Sequence, residues 1–320
     1  MTRKIPLFYH IPKNAGTYVS DWFLVALRHY WFPKIQKEHD ELTKERTAFW
    51  ETKLQDLGFK TNQEYNGSII KRRDRINDKR NWIKRLRVIK NGFIVAGIFI
   101  LDEREFCENH PTLFIKKHTS TEWDISLEDV ETELLTNVFI FGVIIEANGF
   151  NIREEILNLF KSYELHEFLL LRDSFSRAQS LYNYLTSASS IHEKTHGAIT
   201  EKTFESFVVS ERCEDSWLIR NLTGLPFSSQ IHEHHFEQAV KILKKIKVYD
   251  IKETDKAIQN AFFECYGMDV NKLELNSWDI VSRNNSENKK IHFQDLPESI
   301  QETFKEKTKW DTKLYNIFTP

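Results

Sequence analysis

Apolar residues fall along this chain in two rhythms. "PLFYHI" at 6–11 is a run of strand length, and it gives way through Pro12-Lys13-Asn14-Ala15-Gly16 to a segment in which Val19, Trp22, Phe23, Ala26 and Tyr30 recur at helical spacing as far as Pro33. That order predicts a strand, a tight loop and a helix. Further runs of strand character are "GFIVAGIFIL" (92–101), "TLFIKK" (112–117), "NVFIFGVII" (137–145) and "EFLLLR" (167–172). The last leads into a helical pattern carried by Ala178, Leu181, Tyr182 and Leu185. Strands alternating with helices predict an α/β fold with a central parallel sheet flanked by helices. From about residue 200 onward the pattern is mainly helical, clearest in "HFEQAVKILKKIK", where Phe236, Val240, Leu243 and Ile246 make one stripe. Neither a repeat nor a low-complexity linker divides the chain, so residues 1–320 read as a single domain.

Residues 34–92 are polar and charged and read as a helical excursion. Its end, "KRRDRINDKRNWIKRLRVIK" at 71–90, holds ten Lys or Arg against two Asp. Two readings suit this segment: a solvated helix face over the sheet, or a groove in which Arg72, Arg73, Arg85 and Arg87 grip an anionic acceptor.

Composition narrows the classes. With 320 residues, 40% hydrophobic and 29% charged, the chain has the makings of a folded, enzyme-sized protein. Its 45 basic and 47 acidic side chains nearly cancel, so no global field draws in nucleic acid or a membrane surface. An anionic partner must be held locally. Three cysteines, far apart and without C-x-x-C spacing, argue against a disulfide framework and a zinc site and favour a reducing compartment. The start "MTRKIPLFYHIPK" is too short and too interrupted for a signal peptide, and "FIVAGIFIL" is about half the ~20 residues of a membrane-spanning helix, so a cytoplasmic location is expected.

The loop at 12–17 carries the first chemistry. A strand that turns straight into a helix aims several backbone N–H groups, and the positive end of the helix dipole, at one spot. Ala15 and Gly16 are small enough to let an anion approach, Thr17 can donate a hydroxyl, and Lys13 adds a mobile charge. This is not the Walker A order, in which the lysine follows the second glycine.

"HIPKNAGTY" resembles the 5′-phosphosulfate loop H-I-P-K-T-G-G-T-S of carbohydrate sulfotransferases, matching at His10, Ile11, Pro12, Lys13, Gly16 and Thr17 and departing at Asn14, Ala15 and Tyr18. A second match lies in "LLLRDSFSRAQSLYNYL". That family binds the 3′-phosphate of 3′-phosphoadenosine 5′-phosphosulfate (PAPS) with a strand-end arginine and a serine eight residues later, here Arg172 and Ser180. Arg177 stands where the family usually has a further arginine, and Arg-Asp-Ser replaces the usual Arg-Asp-Pro. "VSRNNSENKK" resembles the family's late basic loop and offers Arg283, "AVKILKKIKVYDIKETDKAIQNAFFECYG" resembles its helix, short strand and helix, and "WDTKLYNIF" its terminal acidic-Leu-Tyr helix. The likeness spares only about 35–135 and is nearest the heparan-type 2-O- and 6-O-sulfotransferases, without their membrane anchor.

The resemblance implies a P-loop-like three-layer fold and transfer of a sulfuryl group from PAPS to a hydroxyl, most readily of a carbohydrate, with 3′-phosphoadenosine 5′-phosphate (PAP) as product and no metal. In that scheme the N–H groups of Asn14, Ala15, Gly16, Thr17 and Tyr18 hold the 5′-phosphate, while Lys13 stabilises charge growing on the leaving oxygen. A base must take the acceptor's proton. Relatives often carry it as Gly-His, but Val143 follows Gly142 here, leaving Glu146 and His118 as candidates. Two other readings stay open: a catalytically silent protein that binds PAP or an anionic glycan, and a divergent P-loop phosphotransferase with Asp173 as its magnesium ligand.

Overall fold

The computed structural model describes residues 3–27, 29–30, 83–101, 114–117, 122–130, 140–186, 200–213, 215–273 and 291–319. Most of the 34–92 excursion lies outside these residues, as do Cys107, Arg72, Arg73, His118 and Arg283. Eight strands form one sheet: β1 (Lys4–His10), β2 (Ile83–Lys90), β3 (Phe93–Leu101), β4 (Phe114–Lys117), β5 (Glu122–Ser126), β6 (Ile140–Glu146), β7 (Glu164–Leu171) and β8 (Lys247–Asp250). Their spatial order is β4-β5-β2-β3-β6-β1-β7-β8.

The block β6-β1-β7-β8 is parallel throughout, and β2 pairs in parallel with β5. β3 runs antiparallel to both of its neighbours, and β4 is antiparallel to β5. The expected α/β sheet is therefore present in mixed form, because the tight turn at Asn91-Gly92, both at positive φ, sends β3 straight back along β2. The basic stretch expected to be helical up to residue 92 is a strand at Ile83–Lys90, in which Leu86 and Val88 alternate with basic residues and are buried.

Helices cover both faces. Residues 16–27 form α1, followed by α2 (Arg153–Leu159), α3 (Ser174–Thr186), α4 (Phe204–Val209), α5 (Trp217–Thr223), α6 (Glu233–Leu243), α7 (Thr254–Tyr266) and α8 (Glu298–Phe318). One face of β1 sends Ile5, Leu7 and Tyr9, joined by Ile11 just past the strand, into a core closed by α2, α5, α6 and Leu314 of α8. Phe8 points the other way, into an aromatic core with Val19 and Phe23 of α1 and Phe262 of α7. Gly142 of β6 allows this close approach: a Cβ there would meet the Phe23 ring at 2.3 Å. The helix, short strand and helix expected beyond residue 230 are α6, β8 and α7.

The strand carrying the loop thus sits between β6 and β7 in the parallel block. The C-terminal ends of those strands deliver His10, Glu146 and Leu171 to one edge of the sheet, where ligands of open α/β sheets gather.

Candidate functional site

After His10 the chain turns through residues 11–15, with Lys13 at φ 69° and Ala15 at φ 58°. Neither is glycine, and left-handed backbone costs an L-residue about 1–2 kcal/mol. Such a conformation persists only where the surroundings hold it. Here β7 supplies the hold. Asn14, 1% exposed, donates Nδ2–H to the Leu170 carbonyl at 2.8 Å, and Arg172 donates Nη1–H to the Lys13 carbonyl at 3.2 Å. The Asn14 N–H donates to the Ile11 carbonyl at 3.1 Å, and the first bond of α1 runs from the Val19 N–H to the Ala15 carbonyl at 3.0 Å. The opening N–H groups of α1 therefore have no acceptor within the helix, which makes the loop a place for an anion.

Among the described residues, Asp173 favours the charge of Arg172 from beyond ion-pair distance, and no carboxylate does so for Lys13. Neither Lys13 nor Arg172 forms an ion pair with a carboxylate among the described residues. The Lys13 ammonium instead lies 4.0 Å from the centre of the Tyr184 ring. Burial, then the neighbouring Arg172 charge, holds its pKa below the usual lysine value; burial also lowers that of Arg172. Ser180 stands one turn before Tyr184 on α3, so the two share a helix face. Its half-buried hydroxyl makes no hydrogen bond among the described residues, and Thr17 is exposed at the start of α1. Tyr18 is differently occupied: its hydroxyl donates to Asp255 Oδ1 of α7 at 2.6 Å.

Behind the loop is a cavity of about 10 Å³, room for one water-sized group, lined by Asn14, Arg172, Ser174, Arg177, Asp311 and Tyr315. The buried Asn14 Oδ1 has no hydrogen-bond partner among the described residues. Arg177, where the family resemblance suggested a further phosphate arginine, stacks 5.2 Å over Trp217 and faces Asp311. Asp311 accepts the N–H groups of Leu218 and Ile219 at 2.9 and 3.0 Å and so caps α5. Burial raises its pKa, and the Arg177 charge opposes the rise. Asp173, the residue that a phosphotransferase would use for magnesium, accepts the Ser176 N–H at 2.8 Å and caps α3.

Glu146 is not a solitary carboxylate. It is the register partner of His10 across β1 and β6, and its Oε2 lies 2.6 Å from His10 Nδ1. The ring lies directly over Gly16, where a Cβ would come within 1.8 Å of His10 Nε2. Gly16 is required by that ring, not by a left-handed backbone. Sequence reasoning placed His10 in the matching loop but gave it no role; its one signal was its position as the last residue of a strand that feeds the loop. Val143 is fully buried in the core.

Of the basic segment, Arg87 forms a fork with Asp124, its register partner on β5, through Nε at 2.6 Å and Nη2 at 2.9 Å. Arg85 lies on the same strand, in register with Phe99. Strand β2 is three places from β1 in the sheet, about 14 Å at the usual strand spacing. Lys13, the residues 14–18, Glu146 and Arg172 therefore gather at one edge, with Ser180 one turn along α3 from the Tyr184 ring beside Lys13, and Arg85 and Arg87 stand on a strand apart from them. Among the described residues, no group of His, Cys, Asp and Glu side chains is placed to hold a metal, and no helix is long and apolar enough to cross a membrane. No protein-family model, curated protein or solved structure matches the chain.

Proposed function

We propose that this chain is a sulfotransferase of P-loop-like fold that moves a sulfuryl group from PAPS to a hydroxyl, with a carbohydrate as the acceptor class. The observation that carries the reading is the pair of half-buried cations, Lys13 and Arg172: burial disfavours the charge of both, Arg172 further disfavours that of Lys13, and neither has a carboxylate within ion-pair distance among the described residues, Asp173 favouring the Arg172 charge only from farther away. Uncompensated buried charge is costly, and an anion bearing phosphate on two sides relieves it at both places. The hydroxyls of Thr17 and Ser180 and the opening N–H groups of α1 would add donors to such a ligand, which fits a donor with a 5′- and a 3′-phosphate. When bound, PAPS supplies an activated sulfuryl group and a phosphate leaving group. Lys13 provides positive charge at the leaving oxygen, and the Asn14 and Arg172 contacts keep the loop in its left-handed form, so that little reorganisation is needed.

Calorimetry with PAP and with adenosine 5′-phosphate tests this. Loss of the 3′-phosphate should weaken binding by at least about tenfold, since a hydrogen bond to a charged group contributes ~1.5–3 kcal/mol; equal affinities would contradict the division of phosphates between Lys13 and Arg172. Labelled PAPS offered with sugar, alcohol and phenol acceptors should then give transfer. The second reading, a silent binder of PAP or an anionic glycan, draws on the burial of Val143 where relatives carry histidine; tight PAP binding with no transfer to any acceptor would favour it. A phosphotransferase is disfavoured by the commitment of Asp173 to its helix.

A further inference from the structure

We propose that His10 is the group that accepts the acceptor's proton, with Glu146 as the residue that orients it. This rests on the sulfotransferase reading. A carboxylate can only accept a hydrogen bond, so the 2.6 Å contact between Glu146 Oε2 and His10 Nδ1 fixes the imidazole with a proton on Nδ1. The lone pair is then left on Nε2. Nε2 makes no hydrogen bond among the described residues, and it is the ring atom nearest to the Cβ position of Gly16, so it faces the loop that would cradle the donor. The imidazole keeps 27% of its side-chain surface open, while Glu146 keeps 17% and sets its Oε2 against the ring. The pair comes from adjacent strands of the parallel block, whose register holds the two residues opposite each other.

The step balances without a further reagent. As the acceptor oxygen bonds to sulfur, its proton passes to Nε2, and the bond between sulfur and the bridging oxygen breaks. The electron pair of that bond goes to the phosphate oxygen, beside Lys13. Glu146 faces the imidazolium so formed, which later loses its proton to solvent. Imidazole suits this task better than a carboxylate because its basicity lies nearer neutral pH.

The test uses the full chain, labelled PAPS and the acceptor found by screening. His10→Gln should lower kcat by about 10²–10⁴-fold and abolish the acid limb of the pH–rate profile, with PAP affinity by calorimetry kept within about threefold. Glu146→Gln should cost less, about tenfold in kcat with PAP affinity kept, and Glu146→Asp should recover part of that loss. The double variant should be no slower than His10→Gln alone. Transfer by a folded His10→Gln protein at the wild-type rate overturns the proposal, and so does a Glu146→Gln variant that loses the acid limb while His10→Gln keeps it. Should His10→Gln fail to fold, His10→Asn takes its place, and wild-type transfer by that folded variant overturns the proposal. Failure of the wild type to bind PAP would overturn the sulfotransferase reading itself, a result distinct from all of these.

Discussion

Lys13 carries two opposed demands. Its charge is what the proposed chemistry needs, yet burial and the nearby Arg172 make that charge unfavourable in the folded protein without ligand. Because its pKa is lowered on folding, the protonated side chain destabilises the native state at every pH below that lowered value, and the penalty fades only as pH rises through it. Lys13→Met should accordingly raise the melting temperature of the ligand-free protein, lower kcat by about 10²-fold or more, and shrink the further stabilisation that PAP gives. Thermal unfolding with and without PAP checks the sign. A lower melting temperature for the ligand-free variant would mean that the Tyr184 contact outweighs the burial of charge.

The same residue shows what sequence could and could not convey. Lys13 and Gly16 could be placed at a turn because they follow an apolar run that ends there, whereas Arg172 and Ser180 were singled out by the resemblance to the sulfotransferase family. The pairing of His10 with Glu146 was not legible, since it spans 136 positions and depends on β6 lying beside β1. Gly16 was read as space for an anion, whereas the ring of a residue six positions earlier already claims that space.

At the scale of elements, the long apolar strands declared themselves, and β2 did not. In "IKRLRVIK" the charge excess hid an alternation in which Leu86 and Val88 face the core and Arg87 turns away to Asp124. Strand direction was equally hidden, because an apolar run buried on both faces reads alike in either sense. Helix α6 offers a test of its own. Its N-terminal turn gathers His232, His234 and His235, and the His232 N–H donates to His235 Nδ1 at 3.0 Å, a bond that imidazolium cannot accept. Desolvation, then the charges of His234, His232 and Arg220, lowers the His235 pKa. A histidine so shifted adds stability that is fully present above its unfolded value, ~6.5, and lost as pH falls through its folded one. His166, buried beneath α7, is lowered mainly by desolvation and acts in the same direction. His235→Asn keeps an acceptor for the His232 N–H but cannot titrate. It should lose less melting temperature than the wild type between pH 7.5 and pH 5.5, and an identical loss would show that the turn contributes nothing to acid sensitivity.

Over the whole molecule, the loop and the strands that support it come from the first and middle parts of the chain, and the wall behind them comes from α8. Asp311 caps α5, the Tyr315 hydroxyl donates to Asp250 at the end of β8, and both line the cavity behind Asn14 and Arg172. Asp311→Ala would orphan two buried N–H groups, at about 1–3 kcal/mol each, and should weaken PAP binding although the residue touches no ligand. Asp311→Asn, which keeps an oxygen acceptor, should recover part of that loss in calorimetry.

The position of that wall in the chain has a consequence for biosynthesis. A ribosome delivers Lys13 first and Asp311 almost three hundred residues later, so the left-handed loop and its cations wait through most of translation for the helix that backs them. Stalled chains that stop short of Asp311 would display Lys13 and Arg172 without the wall behind them. Under the proposed reading, the ability to hold a nucleotide would emerge late and abruptly, once the segment 311–315 docks.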